Sequence, residues 1–472
     1  MQQKDGFYER LRKQKRDRTL FDQANEMAWA YQQKDGEQRV FPNREALEGL
    51  TEFDIPLPER GRPVQEALAL LQKRGEPAAV RQSEGRYFGF VNGGALPAAL
   101  LARRATECWD QNAALYVMSP IAAELERIVG EWMTDLLGIP QETAMGLVPG
   151  SANAIFCALV TARNAQLKRL GYDEKEKGLF SAPKLRVVLG EQAHATVFAA
   201  LYQAGFGREQ MVVVPVREDG RLYAEDLPQL RESDIVIAQA GNVANGCFDE
   251  IEGIAARCQE AGAWLHIDGA FGLWAGASKR KRHLVKGMER ADSLSCDGHK
   301  TLNLPYDCAM VFCRQEAQLT DALSAEGSYI AYTKNRDGMR YSQQMSRRAY
   351  AIELWAALYT LGKEGVEALV DRLCEGAEYC AERLKAEGFC VPYEVVFNQV
   401  LVCCKMQDIT RRTLELLQQS GVVWCGGMNY FGRDCIRVSV CSWETTHADI
   451  DLLVRTLVDC RRRAEEEFLA RP

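Results

Sequence analysis

Two charged residues stand where apolar runs of this chain stop. Asp268 closes Ala263-Trp264-Leu265-His266-Ile267 and is followed by Gly269-Ala270-Phe271-Gly272, while Lys300 closes Asp297-Gly298-His299. A carboxylate and an amine at the ends of successive strands are the pair that pyridoxal phosphate (PLP) requires. The amine joins the cofactor aldehyde as a Schiff base, and the acid keeps the pyridine nitrogen protonated so that the ring withdraws electrons. An aspartate ending an apolar strand is desolvated, which raises its pKa unless a cation lies near, and a pyridinium is such a cation. A lysine that acts as an amine is helped by partial desolvation, which lowers its pKa. Each residue also has a plain structural reading: the aspartate as a turn or helix cap, the lysine as a surface side chain with its stem laid on apolar neighbours. The succession of acid and amine on neighbouring runs favours chemistry.

Two more segments supply groups such a cofactor needs. Gly146-Leu147-Val148-Pro149-Gly150-Ser151-Ala152-Asn153 precedes a helical run over 154–167. A Gly/Ser loop that opens a helix presents free N–H groups and the positive end of the dipole, which suits a phosphate. An ordinary N-cap made by Ser151 or Asn153 reads equally well from the residues alone. His194, in Gly190-Glu191-Gln192-Ala193-His194-Ala195-Thr196, could stack on a cofactor ring or move a proton, or be a satisfied structural histidine.

The elements that must position these residues alternate between strands and helices. Short β-branched runs at 185–189, 211–216, 234–240, 264–268, 293–296 and 309–313 are separated mostly by helix-compatible stretches such as 250–261. Runs that are apolar throughout predict parallel strands covered on both faces, hence an α/β sheet whose ligands bind beyond the strand carboxyl ends. Residues 1–82 read as a charged helical arm that packs on something else, with an extended stretch at 54–58 and a helix over 64–71. The large α/β unit then spans 83–349. From 350 to 472 a smaller α+β unit is expected, with helices at 350–361 and 366–387 broken at Gly362, strands at 399–404 and 435–440, and further helices at 411–419 and 448–467.

Bulk composition excludes several other readings. With 472 residues, 47% hydrophobic and 26% charged, the chain is an ordinary globular one, large enough for two or three units. A net charge of −7 argues against nucleic acid or an anionic membrane as partner, and the basic runs at 10–18 and 279–282 read as solvated faces. No stretch has the length of a transmembrane helix and the charged N-terminus has no signal-peptide core. The 16 cysteines, scattered singly apart from Cys403-Cys404, read as reduced cytoplasmic thiols, and five histidines supply a zinc site poorly. No metal is expected.

Taken together, these segments resemble the group II PLP-dependent amino-acid decarboxylases, the aromatic L-amino-acid and glutamate decarboxylase family, over about residues 57–453. The resemblance is carried by Leu57-Pro58-Glu59-Arg60-Gly61-Arg62-Pro63-Val64, Arg86-Tyr87-Phe88-Gly89-Phe90-Val91, Ser119-Pro120-Ile121-Ala122-Ala123-Glu124-Leu125-Glu126, the Asp268 and His299-Lys300 segments, Ser346-Arg347-Arg348, and Ile436-Arg437-Val438-Ser439. It implies PLP fold type I, aspartate-aminotransferase-like, and a homodimer with its active site at the interface. Lys300 would be the Schiff-base lysine and Asp268 the pyridinium partner, while His194 would stack on the ring and assist protonation. Ser151 and Ala152 would bind phosphate, aided by the His299 region, with Ala270 also against the cofactor. Tyr329, on a mobile loop, would return a proton to the carbanion, and Tyr332 is a nearby alternative.

Three departures from the family pattern bear on the substrate. The phosphate loop reads Gly150-Ser151-Ala152-Asn153, Gly241-Asn242-Val243 replaces the usual Gly-Thr-Thr, and Glu84-Gly85 stands where histidine-proline is usual. The resulting expectation is a cytoplasmic L-amino-acid decarboxylase. An aromatic substrate is mildly favoured because Tyr87, Phe88, Phe90 and Trp109 lie in the segments that shape the family's pocket, although core positions explain them as well. The rivals are a PLP-dependent aldehyde synthase, against which Tyr329 argues, a PLP-fold aminotransferase or carbon–sulfur lyase, and a non-catalytic PLP-fold binding subunit.

Overall fold

The computed structural model describes residues 2–34, 36, 38–325, 327, 332 and 334–470. Its strands are β1 (Tyr87–Phe88), β2 (Ala144–Val148), β3 (Val187–Gly190), β4 (Met211–Val214), β5 (Ile235–Gln239), β6 (Trp264–Asp268), β7 (Ser293–Asp297), β8 (Ala309–Cys313), β9 (Gln399–Val402), β10 (Trp424–Tyr430) and β11 (Arg433–Ser439). Seven of them form one sheet in the order β2-β8-β7-β6-β5-β3-β4. Strands β3 to β7 are parallel where they pair, so the expected α/β architecture with a mostly parallel sheet holds.

The apolar runs explain this sheet. Strands β6, β7 and β8 are buried end to end, which demands cover on both faces. One cover is the helix Ser151–Arg169, which lies on β7 and β8 and is itself buried around most of its circumference. Two polar groups of β6 share one partner in β7: Ser293 Oγ lies 3.0 Å from both Trp264 Nε1 and His266 Nδ1. Burial pushes His266 down to about 3, so its ring is neutral and structural.

Two features depart from expectation. Strand β8 reads like a parallel run but is antiparallel to both neighbours, because an apolar pattern encodes burial and not direction. Strand β2 is additional. Its Gly146 weakens the strand signal, yet a side chain there would collide with the Tyr341 carbonyl.

The second sheet has the order β1-β10-β11-β9, with β1 parallel to β10 and the other pairs antiparallel. The helices Gln407–Ser420 and His447–Leu469 pack against each other beside it. The long helix Ala351–Ala386 is two rods joined at Gly362, whose φ of 60° only glycine adopts readily at this ψ. Tyr87 and Phe88, ahead of the large sheet in the chain, pair with this second sheet, and Phe88 is sealed in its core. The basic run 279–282 is solvated at Lys279, Arg280 and Arg282, as expected, but not at Lys281. Lys281 is buried, with Nζ 3.1 Å from Glu378 and 2.9 Å from the Val396 carbonyl, and Lys279 and Arg280 pair with Glu367 and Glu375.

A buried charge cluster ties the helix Pro120–Leu137 to the chain after the loop. Glu126 lies 2.7 Å from Arg347 and 3.1 Å from Arg336. Burial alone would raise the Glu126 carboxyl, but Arg347 and Arg336 more than reverse that and hold it below the ordinary value. Breaking a buried pair costs about 3–5 kcal/mol, and Glu126→Gln is expected to lose that much in urea unfolding at neutral pH. A carboxyl lowered by folding stabilises above its unfolded pKa, and that stability is lost as pH falls through the lowered value. The gap between wild type and variant should therefore close in acid.

Candidate active site

Parallel register brings the ends of three strands side by side. Gln239 of β5 pairs with Asp268 of β6, and Asp268 pairs with Ser295 of β7. Asp268 is buried, and its Oδ1 accepts the Ala270 amide at 3.2 Å. Burial raises the Asp268 carboxyl, and Lys300 and His194 pull it down only in part. Ala270 also accepts the Asp297 amide at 2.8 Å, so one residue joins the ends of β6 and β7.

Beyond β7 the chain turns, and Lys300 Nζ comes back to 2.9 Å from Asp297 Oδ2. Burial favours the neutral amine, yet Asp297 beside it and Asp268 further off overturn this and hold the ammonium above the usual lysine value. The lysine is thus desolvated as expected, but its pKa is raised and not lowered. His299 Nδ1 accepts the Cys308 amide at 3.2 Å and its ring stacks on Tyr306 at 4.3 Å. Its Cε1 lies 3.7 Å from where a Cβ on Gly150 would stand, which puts the imidazole against the opening of the helix Ser151–Arg169.

The Lys300 turn is clamped by Asn303, which adopts φ 58°. Its Oδ1 accepts the amides of Gly94 at 2.6 Å and Trp443 at 2.8 Å, and its Nδ2 donates to the carbonyls of Thr301 at 2.8 Å and Cys441 at 3.0 Å. Three distant segments therefore meet on one buried amide. A side chain at Gly93 would collide with the Lys300 carbonyl, so the segment following β1 lies hard against this turn.

His194 caps the helix Ala195–Gln203: Nδ1 accepts the Thr196 amide at 3.3 Å and lies 2.8 Å from its hydroxyl. The capping bond assigns the proton of the neutral ring to Nε2. Burial lowers the imidazole, and the charges it feels are those of Asp268, Lys300, Arg437 and Asp297, which places it among them. At the helix opening, Gly150 is extended and no side chain caps the turn, with Ser151 half-buried and Ala152 exposed. Backbone N–H groups there are open to an anion.

Arg437 of β11 completes the cluster. It is half-buried, its Nη1 donates to the Val243 carbonyl at 3.1 Å, and burial lowers its pKa. The neighbours that act on its charge are the Cys425 thiol and the Tyr87 phenol, with no carboxylate among them. Val243 belongs to the Gly241-Asn242-Val243 loop, whose shape Asn242 holds by accepting the Ala244 amide at 2.8 Å.

The structure brings Asp268, Ala270, His194, His299 and Lys300 to one place, with the Ser151–Ala152 helix opening against His299. Tyr329 lies outside the described residues. Tyr332 donates its hydroxyl to the Ala325 carbonyl at 2.7 Å, with Arg340 over its ring at 5.3 Å. Asp297, Asn303 and Arg437 were not singled out from sequence. Asp297 had a readable signal, an acid three residues before the lysine at a strand end, whereas the partners of Asn303 and Arg437 are far away in sequence. These residues fit PLP. A buried carboxyl raised by desolvation asks for a cationic partner, and an uncapped helix opening beside His299 asks for an anion. Among the described residues no group of acids, histidines and cysteines could hold a metal ion.

Comparison with known proteins agrees. Residues 68–407 match the sequence model of the pyridoxal-dependent decarboxylase conserved domain. The acidic amino acid decarboxylase GADL1 of Xenopus tropicalis is 28% identical over 376 residues, 76% of this chain and 72% of that protein. The Mus musculus protein of the same name is 28% identical over 337 residues, 68% of this chain but only 60% of the relative. The crystal structure of Oryza sativa TDC with PLP and tryptamine superposes with a TM-score of 0.87 at 20% identity, over 94% of this chain and 97% of that one. That likeness shows the fold, which is PLP fold type I.

Asp297→Asn removes the anion beside Lys300 and should lower the pH at which this amine is neutral. The rate at which pyridoxal phosphate develops its visible band with the apoprotein checks this. The variant's rate profile should reach its plateau at lower pH than that of wild type.

Proposed function

The chain belongs to the pyridoxal-dependent decarboxylase family, and with that PLP-dependent membership we propose that it releases the α-carboxylate of an L-amino acid as CO2 and yields the amine. The observation that carries the reading is the register that sets buried Asp268 beside β7, with Lys300 turned back over its end and His194 close enough to feel both charges. When bound, PLP supplies a protonated pyridine ring that accepts the electron pair the departing carboxylate leaves.

The residues divide this work by their surroundings. Asp268, dry and short of a cationic partner, would hold the ring nitrogen's proton. Lys300 would join the cofactor aldehyde and be displaced by the substrate amine, its free ammonium then resting against Asp297. The amides of Ser151 and Ala152, with His299 alongside, would take the phosphate, and Ala270 would line the ring's edge beside Asp268. His194 would cover the ring, with Nε2–H free because Nδ1 is occupied by the helix cap. Return of a proton to the α-carbon is assigned to Tyr329 with His194. Fixed charges and dipoles of this kind, aimed where charge develops, make the largest protein contribution to such a reaction.

Arg437 guides the choice of substrate. A largely desolvated guanidinium with no carboxylate acting on it, next to His194 and Tyr87, is suited to a substrate carboxylate. This supports an acidic L-amino acid, the substrate class that the names of the frog and mouse relatives carry. A second reading, an aromatic substrate, is favoured by the stack of Tyr87 and Phe90 on the two sides of Trp424, at 5.2 and 5.6 Å, beside Arg437. Phe88 takes no part in it, being core.

We also propose a homodimer. The arm leaves Phe7, Tyr8, Trp29 and Leu57 exposed, apolar groups that a second copy would cover. A cytoplasmic location is inferred from the 16 free cysteines; among the described residues no helix is long and apolar enough to cross a membrane.

A panel of L-amino acids assayed at once for CO2, amine, aldehyde and ammonia tests the reaction. Amine and CO2 in equal amounts, fastest with aspartate or glutamate, are expected. Aldehyde with ammonia in place of amine contradicts the reading. Hydrogen bonds to charged groups contribute about 1.5–3 kcal/mol, so Arg437→Met should raise KM for the preferred substrate roughly 10- to 100-fold.

A further inference from the structure

Away from this site, three cysteines lie across adjacent strands of the small sheet. Cys390 and Cys403 form an isolated antiparallel bridge and exchange both backbone hydrogen bonds, each 2.9 Å. In such a pair the Cα atoms are about 5.5 Å apart and the side chains leave the same face, within the roughly 4.4–6.8 Å that a disulfide spans. Cys435 is the third: the β9–β11 register pairs Ile436 with Val402, and one step further along the ladder sets Cys435 beside Cys403.

The surroundings make Cys403 the reactive member. It is buried by its own strand but lines a cavity of 540 Å³ with Cys390, Lys405, Phe431 and Arg433. Arg433 Nη1 reaches Cys390 Sγ at 3.7 Å. The Cys435 thiol, then Cys390 and Arg433, bring the Cys403 thiol down to about 6, while Cys390 and Cys435 are raised. The three thiols titrate together, and Cys403 is the one that ionises most readily. Cys390 is exposed, as is Cys108, but Cys108 has no place in this cluster.

We propose that Cys390 and Cys403 form a hydroperoxide-reactive dithiol, in which Cys403 is oxidised first and Cys390 resolves it to a disulfide. The Cys403 thiolate takes the terminal peroxide oxygen as the O–O bond breaks, and the other oxygen leaves as water after gaining a proton. Cys390 then loses its proton and attacks the sulfenic sulfur; the S–S bond forms and the S–O bond breaks with release of a second water. Two thiols and one hydrogen peroxide thus give one disulfide and two waters. The dithiol lies at the small sheet and does not depend on the substrate assigned above.

Peptide mapping of the holoenzyme after hydrogen peroxide and thiol alkylation tests this. The expected product is one cross-linked peptide pair joining Cys390 to Cys403, lighter by two hydrogen atoms and restored by dithiothreitol. In Cys390→Ser the dimedone adduct of a sulfenic acid should appear at Cys403, and in Cys403→Ser neither product should form. Full alkylation of both cysteines, a bridge from Cys403 to Cys435, or oxidation confined to Cys108 would each overturn the proposal.

Discussion

The pairing of β6 with β7 is the constraint from which the rest of the site follows. His266, Ile267 and Asp268 lie opposite Ser293, Leu294 and Ser295. Strand β7 therefore outruns β6 by two residues and ends at Asp297, and Ala270 closes the step by bonding to both ends. A slip of one residue would turn every side chain of β6 to the opposite face. Asp268 would leave the site, and the Trp264 and His266 bonds to Ser293 that fix the register inside the core would be lost with it.

That geometry assembles charges in a dry place, where each needs a counter-charge. Lys300 is held by Asp297, Glu126 by two arginines, and Arg437 by a carbonyl alone. Asp268 retains a carboxyl raised by burial, and among the described residues it accepts a hydrogen bond only from a backbone amide, that of Ala270. The site as built thus has an unmet demand for a cation at Asp268 and for anions at Arg437 and at the helix opening near Gly150. A phosphorylated pyridine and the proposed substrate carboxylate would meet all three.

Much of this was legible in the sequence, for identifiable reasons. Strands β6 and β8 have the limits their apolar runs predicted, and the break at Gly362 was readable because glycine between two helical runs is the residue that most readily takes a non-helical turn. Lys300, Asp268 and His194 were legible because a strand end beside glycine is a local pattern. The direction of β8, the two-residue β1 and the glycine-containing β2 and β10 were not, since their pairing is decided by partners distant in sequence. The raised pKa of Lys300 was missed because desolvation was weighed without Asp297. Arg437 was visible only as part of a C-terminal strand: its anchor, Val243, is 194 residues away. Phe88 was readable as either a pocket or a core residue, and its β1 pairing puts it in the core of the second sheet.

The central proposal is Lys300 as the amine that bears the cofactor, its free ammonium held by Asp297. Borohydride reduction of the PLP-loaded protein makes that attachment irreversible, and peptide mapping then locates it. The pyridoxyl group is predicted on Lys300 alone, at one per chain. A label on another lysine, or none after PLP addition, would contradict the account.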